Sequence, residues 1–274
     1  MSKTILYLTN EYLLTALSFF SCLFLTIIYY KYIKLGCVKF AEFISVRIKS
    51  DKHTLRDIKG VIELVLIVCT HVCYTTFLFF FLPRSYSLPS EYEVMPLFQM
   101  ISGVLLGFAE LSLSMFICAL ILYVFNSMQI HMRKQHAVNT QRTVFQGTIR
   151  DSLVSSSKGG WLAHHFATKT LLPYYVYWIV PVTQVSCEEI VFRFIFWSHM
   201  CCYMNSAVSA ILSTSLFVLM QKFFTPNWAT AFYPIVGATV MGITHSLIFI
   251  SSQSVLTIIS AHITFFWLSL SIKE

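Results

Sequence analysis

Three charged side chains stand within six residues of one another in a stretch that is otherwise apolar. The stretch is Val185–Trp197, VSCEEIVFRFIFW, and the three are Glu188, Glu189 and Arg193. A charge at bilayer depth costs about 2.5–3.5 kcal/mol on insertion scales, so it is kept where it faces a protein interior or a watery cavity and has a task there. On a helix Glu189 and Arg193 are four apart and pair along one face, while Glu188 points in another direction. One carboxylate is then neutralised locally and the other is left for different work. A desolvated, unpaired carboxylate suits general-base or general-acid chemistry near neutral pH.

Such a carboxylate needs partners, and three later groups qualify by position: Gln221, His245 and His262. An imidazole in an apolar span is commonly a structural group, and His245 has Thr244 and Ser246 beside it as hydrogen-bond partners. His262 stands on the helix that would close a bundle around Glu188. Glu110, alone in an earlier apolar run, reads either as a functional acid or as one half of a structural ion pair. Glu188 and His262 would be two ligands for a metal, and His245 a third, which is the minimum for a catalytic zinc site. No H-E-x-x-H spacing accompanies them, and the sequence leaves a metal cofactor undetermined. His164 and His165 are adjacent, so on a helix they point about 100° apart and do not share a ligand.

The elements that must position these groups are membrane-spanning helices. Of the 274 residues 57% are hydrophobic and only 11% charged, with mean hydropathy +0.71, which excludes an ordinary soluble domain. The expected fold is all-α, a polytopic transmembrane bundle of about seven spans. These are 12–30, 61–82, 101–125, 171–200, 207–224, 231–250 and 255–270, with an eighth if 171–200, which holds Pro173 and Pro181, is a half-helix followed by a span and not one kinked helix. The first run is too long for a signal-peptide core and no small-residue cleavage site follows it, so it reads as a span. Gly103 and Gly107, four apart in the third span, signal a close helix contact. Glu63 and His71 fall inside the second.

The net charge of +7 is concentrated in two stretches, eight basic residues over 31–59 and six over 126–170. That distribution argues for cytoplasmic loops and contact with anionic lipid, and against nucleic acid. Within the second, Ser155–Gly160 (SSSKGG) reads as a flexible break between interfacial segments. Five of the eight cysteines, Cys22, Cys69, Cys73, Cys118 and Cys187, lie in apolar runs as small hydrophobes, and Cys201–Cys202 sits at a span end. The chain divides into an N-terminal transmembrane region, 1–170, and a membrane core, 171–274.

The pattern E-E-x-x-x-R, here Glu188, Glu189 and Arg193, resembles motif one of the CPBP family of intramembrane proteases, which includes the CAAX prenyl endopeptidases. The family's second motif, F-x-x-x-H, would fall 33 residues after the first glutamate, where this chain has Phe217-Val-Leu-Met-Gln221. Its third, H-x-x-x-N or H-x-x-x-D, is matched by His262-Ile-Thr-Phe-Phe266. The resemblance covers about 173–267 and implies Glu188 as the base that deprotonates water, His262 as an oxyanion donor, and Glu189 with Arg193 as the pair that orients the helix. Gln221 would position the water. Gln221 and Phe266 depart from the family's histidine and Asn or Asp; Gln cannot take a proton and Phe can neither donate nor accept.

The function implied is an intramembrane endopeptidase acting on membrane-associated peptides or prenylated protein tails. The membrane would be the plasma or inner membrane of a bacterium, or the endoplasmic reticulum of a eukaryote. Two other readings stand beside it. One is a family member without catalysis, acting as a membrane scaffold or regulator. The other is a small transporter in which Glu110, Glu188 and Arg193 line a polar path.

Overall fold

The computed structural model describes residues 2–48, 55–85, 95–135, 172–223, 225 and 228–271. His164, His165, Ser155–Gly160 and the flanking segments expected at the membrane interface lie outside them. Among the described residues the structure is helical with no strand. α1 (Ser2–Ile27) runs through a π-helical turn, Ile28–Ile33, into α2 (Lys34–Ser45). Next come α3 (Leu55–Phe81) and α4 (Pro96–Gln135). α5 (Tyr174–Glu189) passes through a second π turn, Ile190–Phe196, into the short α6 (Trp197–Met200). α7 (Ser206–Phe223), α8 (Trp228–Ser252) and α9 (Val255–Ser271) follow. Helices are the form in which each apolar segment satisfies its own backbone without water.

Five segments are long and apolar enough to cross a membrane: Leu13–Ser45, Ile58–Phe81, Pro96–Met128, Ser206–Phe223 and Thr230–Ser252. The α5–α6 rod carries the three central charges, and α9 is a shorter apolar helix. The described part of 171–200 does not divide into a half-helix and a span. The helix continues through Pro181 from Tyr174, after Pro173 at its start. The first basic stretch is also less of a loop than its charge suggests, because the helix goes on past Lys31, Lys34 and Lys39 to Ser45. Long basic side chains can lie along apolar surface with their charge carried outward. Lys59 on α3 pairs with Glu42 on α2 at 3.0 Å where that stretch ends.

Contacts at the two ends of the bundle fix the order of the rods. At one end the Thr15 hydroxyl donates to the Tyr203 carbonyl, His199 Nδ1 lies 2.9 Å from the Pro83 carbonyl, and the Ser254 hydroxyl donates to Gln99 Oε1. At the other, Tyr233 and Ser269 share a hydrogen bond of 2.8 Å, and Tyr177 meets Trp267 edge-on. The ends of α2 and α4, and the start of α5, lie on this second side.

The closest-packed pair is α4 with α9. A Cβ added at Gly103 would come within 2.6 Å of Ser260 Cβ, and one at Gly107 within 2.7 Å of Thr264 Cβ. The two glycines are what let the backbones touch. One turn beyond Gly107, Glu110 is buried and turned toward α8, where Thr244 and His245 meet it. On the other flank the first π turn buries Tyr29 and Tyr30 against α3. The Tyr29 hydroxyl donates to the Ile67 carbonyl at 3.0 Å and its ring stacks on Tyr74 at 4.3 Å.

Candidate active site

The second π turn sits at the centre of the bundle, with every residue from Val191 to Phe196 buried. Such i→i+5 turns occur frequently at functional sites. Here the turn begins directly after Glu188 and Glu189 and contains Arg193. Glu189 Oε2 lies 3.5 Å from Arg193 Nε, both groups essentially without solvent contact. The guanidinium rests over the Phe217 ring, 4.1 Å from its centroid, so an aromatic face of α7 covers the cation.

Glu189 gathers more than the arginine. His262 Nδ1 donates to its Oε1 at 2.6 Å, and His245 Nδ1 lies 3.1 Å from its Oε2. His245 continues the chain, with Nε2 3.2 and 3.3 Å from the two oxygens of Glu110. The Thr244 hydroxyl also donates to Glu110. Each ring nitrogen of His245 thus faces a carboxylate, and the ring bridges the two acids. The series Glu110, His245, Glu189, His262 draws on α4, α8, α5 and α9 in turn. All four side chains are buried, His262 the most exposed of them at 6%. In so dry a setting charge-assisted hydrogen bonds are short and strong.

Glu188 leaves the helix on another side. Gln184 Nε2, one turn earlier, donates to its Oε1 at 3.0 Å. The carboxylate is within electrostatic reach of His262, Arg193 and Tyr30. It therefore borders both the imidazole cluster and the aromatic wall built by α1 and α3. In that wall the Tyr30 hydroxyl and His71 Nε2 are 2.9 Å apart, and the Tyr30 ring packs on Phe192 at 5.8 Å.

Of the residues singled out by spacing, Glu188, Glu189, Arg193 and His262 come together. Gln221 does not join them by hydrogen bonds. It is half-buried on α7 one turn beyond Phe217, and among the described residues its amide forms none. Phe217 itself meets the His262 ring edge-on at 5.9 Å. Phe266, one turn after His262, is buried and packs its ring against Trp267 at 5.9 Å. His245 enters the cluster although it matches no expected motif position. Glu110, the lone acid within a span, and Thr244 enter with it; Thr244 and Ser246, expected to bond His245, instead meet Glu110 and Thr214.

No group of three or more His, Cys, Asp or Glu side chains among the described residues is disposed to hold a metal. The donor atoms that would be needed are turned on one another: both Nδ1 atoms meet Glu189, and His245 Nε2 meets Glu110. This arrangement does not fit a catalytic zinc, which requires three ligands facing one point with an open position.

Residues 170–268 match the family model described as type II CAAX prenyl endopeptidase Rce1-like, in agreement with the resemblance to the CPBP family carried by Glu188, Glu189 and Arg193. The matched stretch includes α5 to α8 and nearly all of α9, and so Gln221, His245 and His262; Glu110, Tyr30 and His71 lie outside it. No curated protein and no solved structure matches the chain.

Proposed function

We propose that this integral-membrane protein is an endopeptidase of the CPBP type, with residues 171–274 as its core. It would cut membrane-associated peptides or prenylated protein tails with a water activated by Glu188. The observation that supports this most is the arrival of His262, from the last helix, against the Glu188–Glu189 pair of α5. Gln184 holds one oxygen of Glu188 and leaves the other to accept a proton.

In this mechanism a water between Glu188 and the scissile carbonyl gives its proton to Glu188 as its oxygen bonds to the carbonyl carbon. The C=O π pair moves onto oxygen. His262, acting as the imidazolium with Nδ1–H on Glu189, turns Nε2–H toward that oxyanion, and the Glu189 carboxylate behind the ring balances the charge. The intermediate collapses, the C–N bond breaks, and the amine leaves with the proton held by Glu188. Arg193 and His245 hold Glu189 in place, and Glu110 with Thr244 holds His245. General-base catalysis supplies about 10²–10⁴-fold and one oxyanion donor about 10²–10³-fold, which is the acceleration these residues are asked for.

The test is cleavage of a prenylated-tail reporter by membranes containing the protein. Glu188→Gln should abolish cleavage at unchanged expression, and equal cleavage by that variant removes the proposal. A second reading, a scaffold or regulator without catalysis, is favoured by Gln221 and by the buried Phe266 ring in the place of a polar residue. It expects no cleavage by the native chain of any prenylated or leader-bearing peptide, and no gain from Gln221→His.

A further inference from the structure

On the side of α7 and α8 turned away from the charged cluster lies an apolar trough of about 840 Å³. Its walls are exposed aliphatic side chains, among them Ile211 and Leu219 on α7 and Ile243 and Leu247 on α8. Four hydroxyls also line it, and each is already engaged. Thr214 donates to the Gly242 carbonyl and shares a hydrogen bond with Ser246, both at 3.0 Å. Ser215 and Thr239 donate to the Ile211 and Ile235 carbonyls of their own helices at 2.8 Å. The trough is therefore greasy along its length even where its residues are polar. From Ala207 to Lys222 it follows 16 residues of α7, about 22 Å at 1.5 Å rise per residue, the reach of an extended long acyl chain.

One end differs from the rest. Among the described residues Lys222 is the single charged one lining the trough, and its ammonium gives one of its three donors to the Thr225 carbonyl at 3.2 Å. Trp228, 71% exposed, stands beside it with its ring 5.3 Å from Nζ. A tryptophan and a lysine at the end of a span mark the level of lipid headgroups. This end lies on the same side as the ends of α2 and α4, to which the basic stretches 31–59 and 126–170 belong in sequence, and positive residues and anionic lipids are concentrated together on one side of a membrane.

We propose that the trough between α7 and α8 is a binding site for one anionic phospholipid, its acyl chain along the two helices and its phosphate against Lys222 and Trp228. The charge at one end and the apolar length behind it match a molecule with one negative head and one long tail. Because the opposite face of the same helices carries His245 and Phe217, the lipid would brace the wall of the candidate site without entering it.

The test uses the full-length protein in phosphatidylcholine nanodiscs doped with photoactivatable-tail analogues of phosphatidylglycerol or phosphatidylcholine, with labelled peptides read by mass spectrometry. The phosphatidylglycerol probe should label α7 and α8 in preference to the phosphatidylcholine probe. Lys222→Ala should weaken its labelling about fivefold, the attraction of one basic side chain for anionic lipid, and Lys222→Arg should retain it. Ser215→Trp, which fills the middle of the trough, should remove labelling with Lys222 intact. Equal labelling by both probes, unchanged by Lys222→Ala, would mean ordinary annular lipid and overturn the proposal. So would protection of the trough by a prenylated peptide but not by unlabelled phosphatidylglycerol, which would make it a place for the substrate's tail. None of these readouts depends on cleavage.

Discussion

His262 Nδ1 lies 2.6 Å from Glu189 Oε1, so the imidazole of the last helix is anchored on the second glutamate of the motif and not on the first. Glu188 and Glu189 are neighbours in sequence with different partners: Gln184 for one, two histidines and an arginine for the other. Substitutions at the two should therefore have different consequences.

Glu189→Gln removes the anion that three buried donors face. Breaking a buried ion pair from one side costs about 3–5 kcal/mol, and here it strands Arg193 and loosens His245 and His262 together. A large drop in unfolding temperature in detergent is expected. Glu188→Gln keeps an oxygen for Gln184 to donate to, so its unfolding temperature should stay close to that of the native protein while cleavage is lost. Similar melting of the two variants would contradict this division of roles.

Glu110 and His245 come from helices far apart in sequence and meet only within the bundle. Glu110→Gln and His245→Phe should each destabilise, by about 1–3 kcal/mol for the buried polar group left behind. A double-mutant cycle should return a coupling of about 0.5–3 kcal/mol, as for residues in one network. Strict additivity would mean that the two do not interact.

Gly107 faces Thr264 so closely that even a methyl group overlaps it. Gly107→Val should push α4 from α9 and lower both stability and yield, carrying Glu110 away from Thr244. Gly36, by contrast, has nothing within 4 Å of an added Cβ. Gly36→Ala should be neutral or stabilising by about 0.5–1 kcal/mol, since alanine gives up less entropy in a helix. Thermal unfolding of the two side by side is the check.

The Tyr30 hydroxyl and His71 Nε2, 2.9 Å apart, join α3 to the π turn between α1 and α2, in the wall that Glu188 borders. Tyr30→Phe leaves a buried imidazole nitrogen without its neighbour and should cost about 1–3 kcal/mol in stability. If loss of stability is the whole effect, residual cleavage measured per folded molecule will remain near the native level.

That the chain is a helical membrane bundle was legible from hydropathy, because about 20 apolar residues in a row have few other fates. The sequence also marked the centre. Charges among apolar residues are too costly to be incidental, and the i,i+4 spacing of Glu189 and Arg193 is a local relation that a helix realises wherever it lies. Gly103 and Gly107 announced a close contact without saying with what. Tertiary structure alone decided that α9 is the helix they meet. It also decided that His245, which matches no motif position, shares Glu189 with His262, and that Glu110 completes the series from 135 residues before His245. The two π turns were equally hidden, since they shift the helical register by one residue without any proline or glycine to signal them. The physical reason is common to all of these. Hydropathy and spacing act within one helix, whereas which buried polar groups satisfy one another depends on how separate helices rotate and pack.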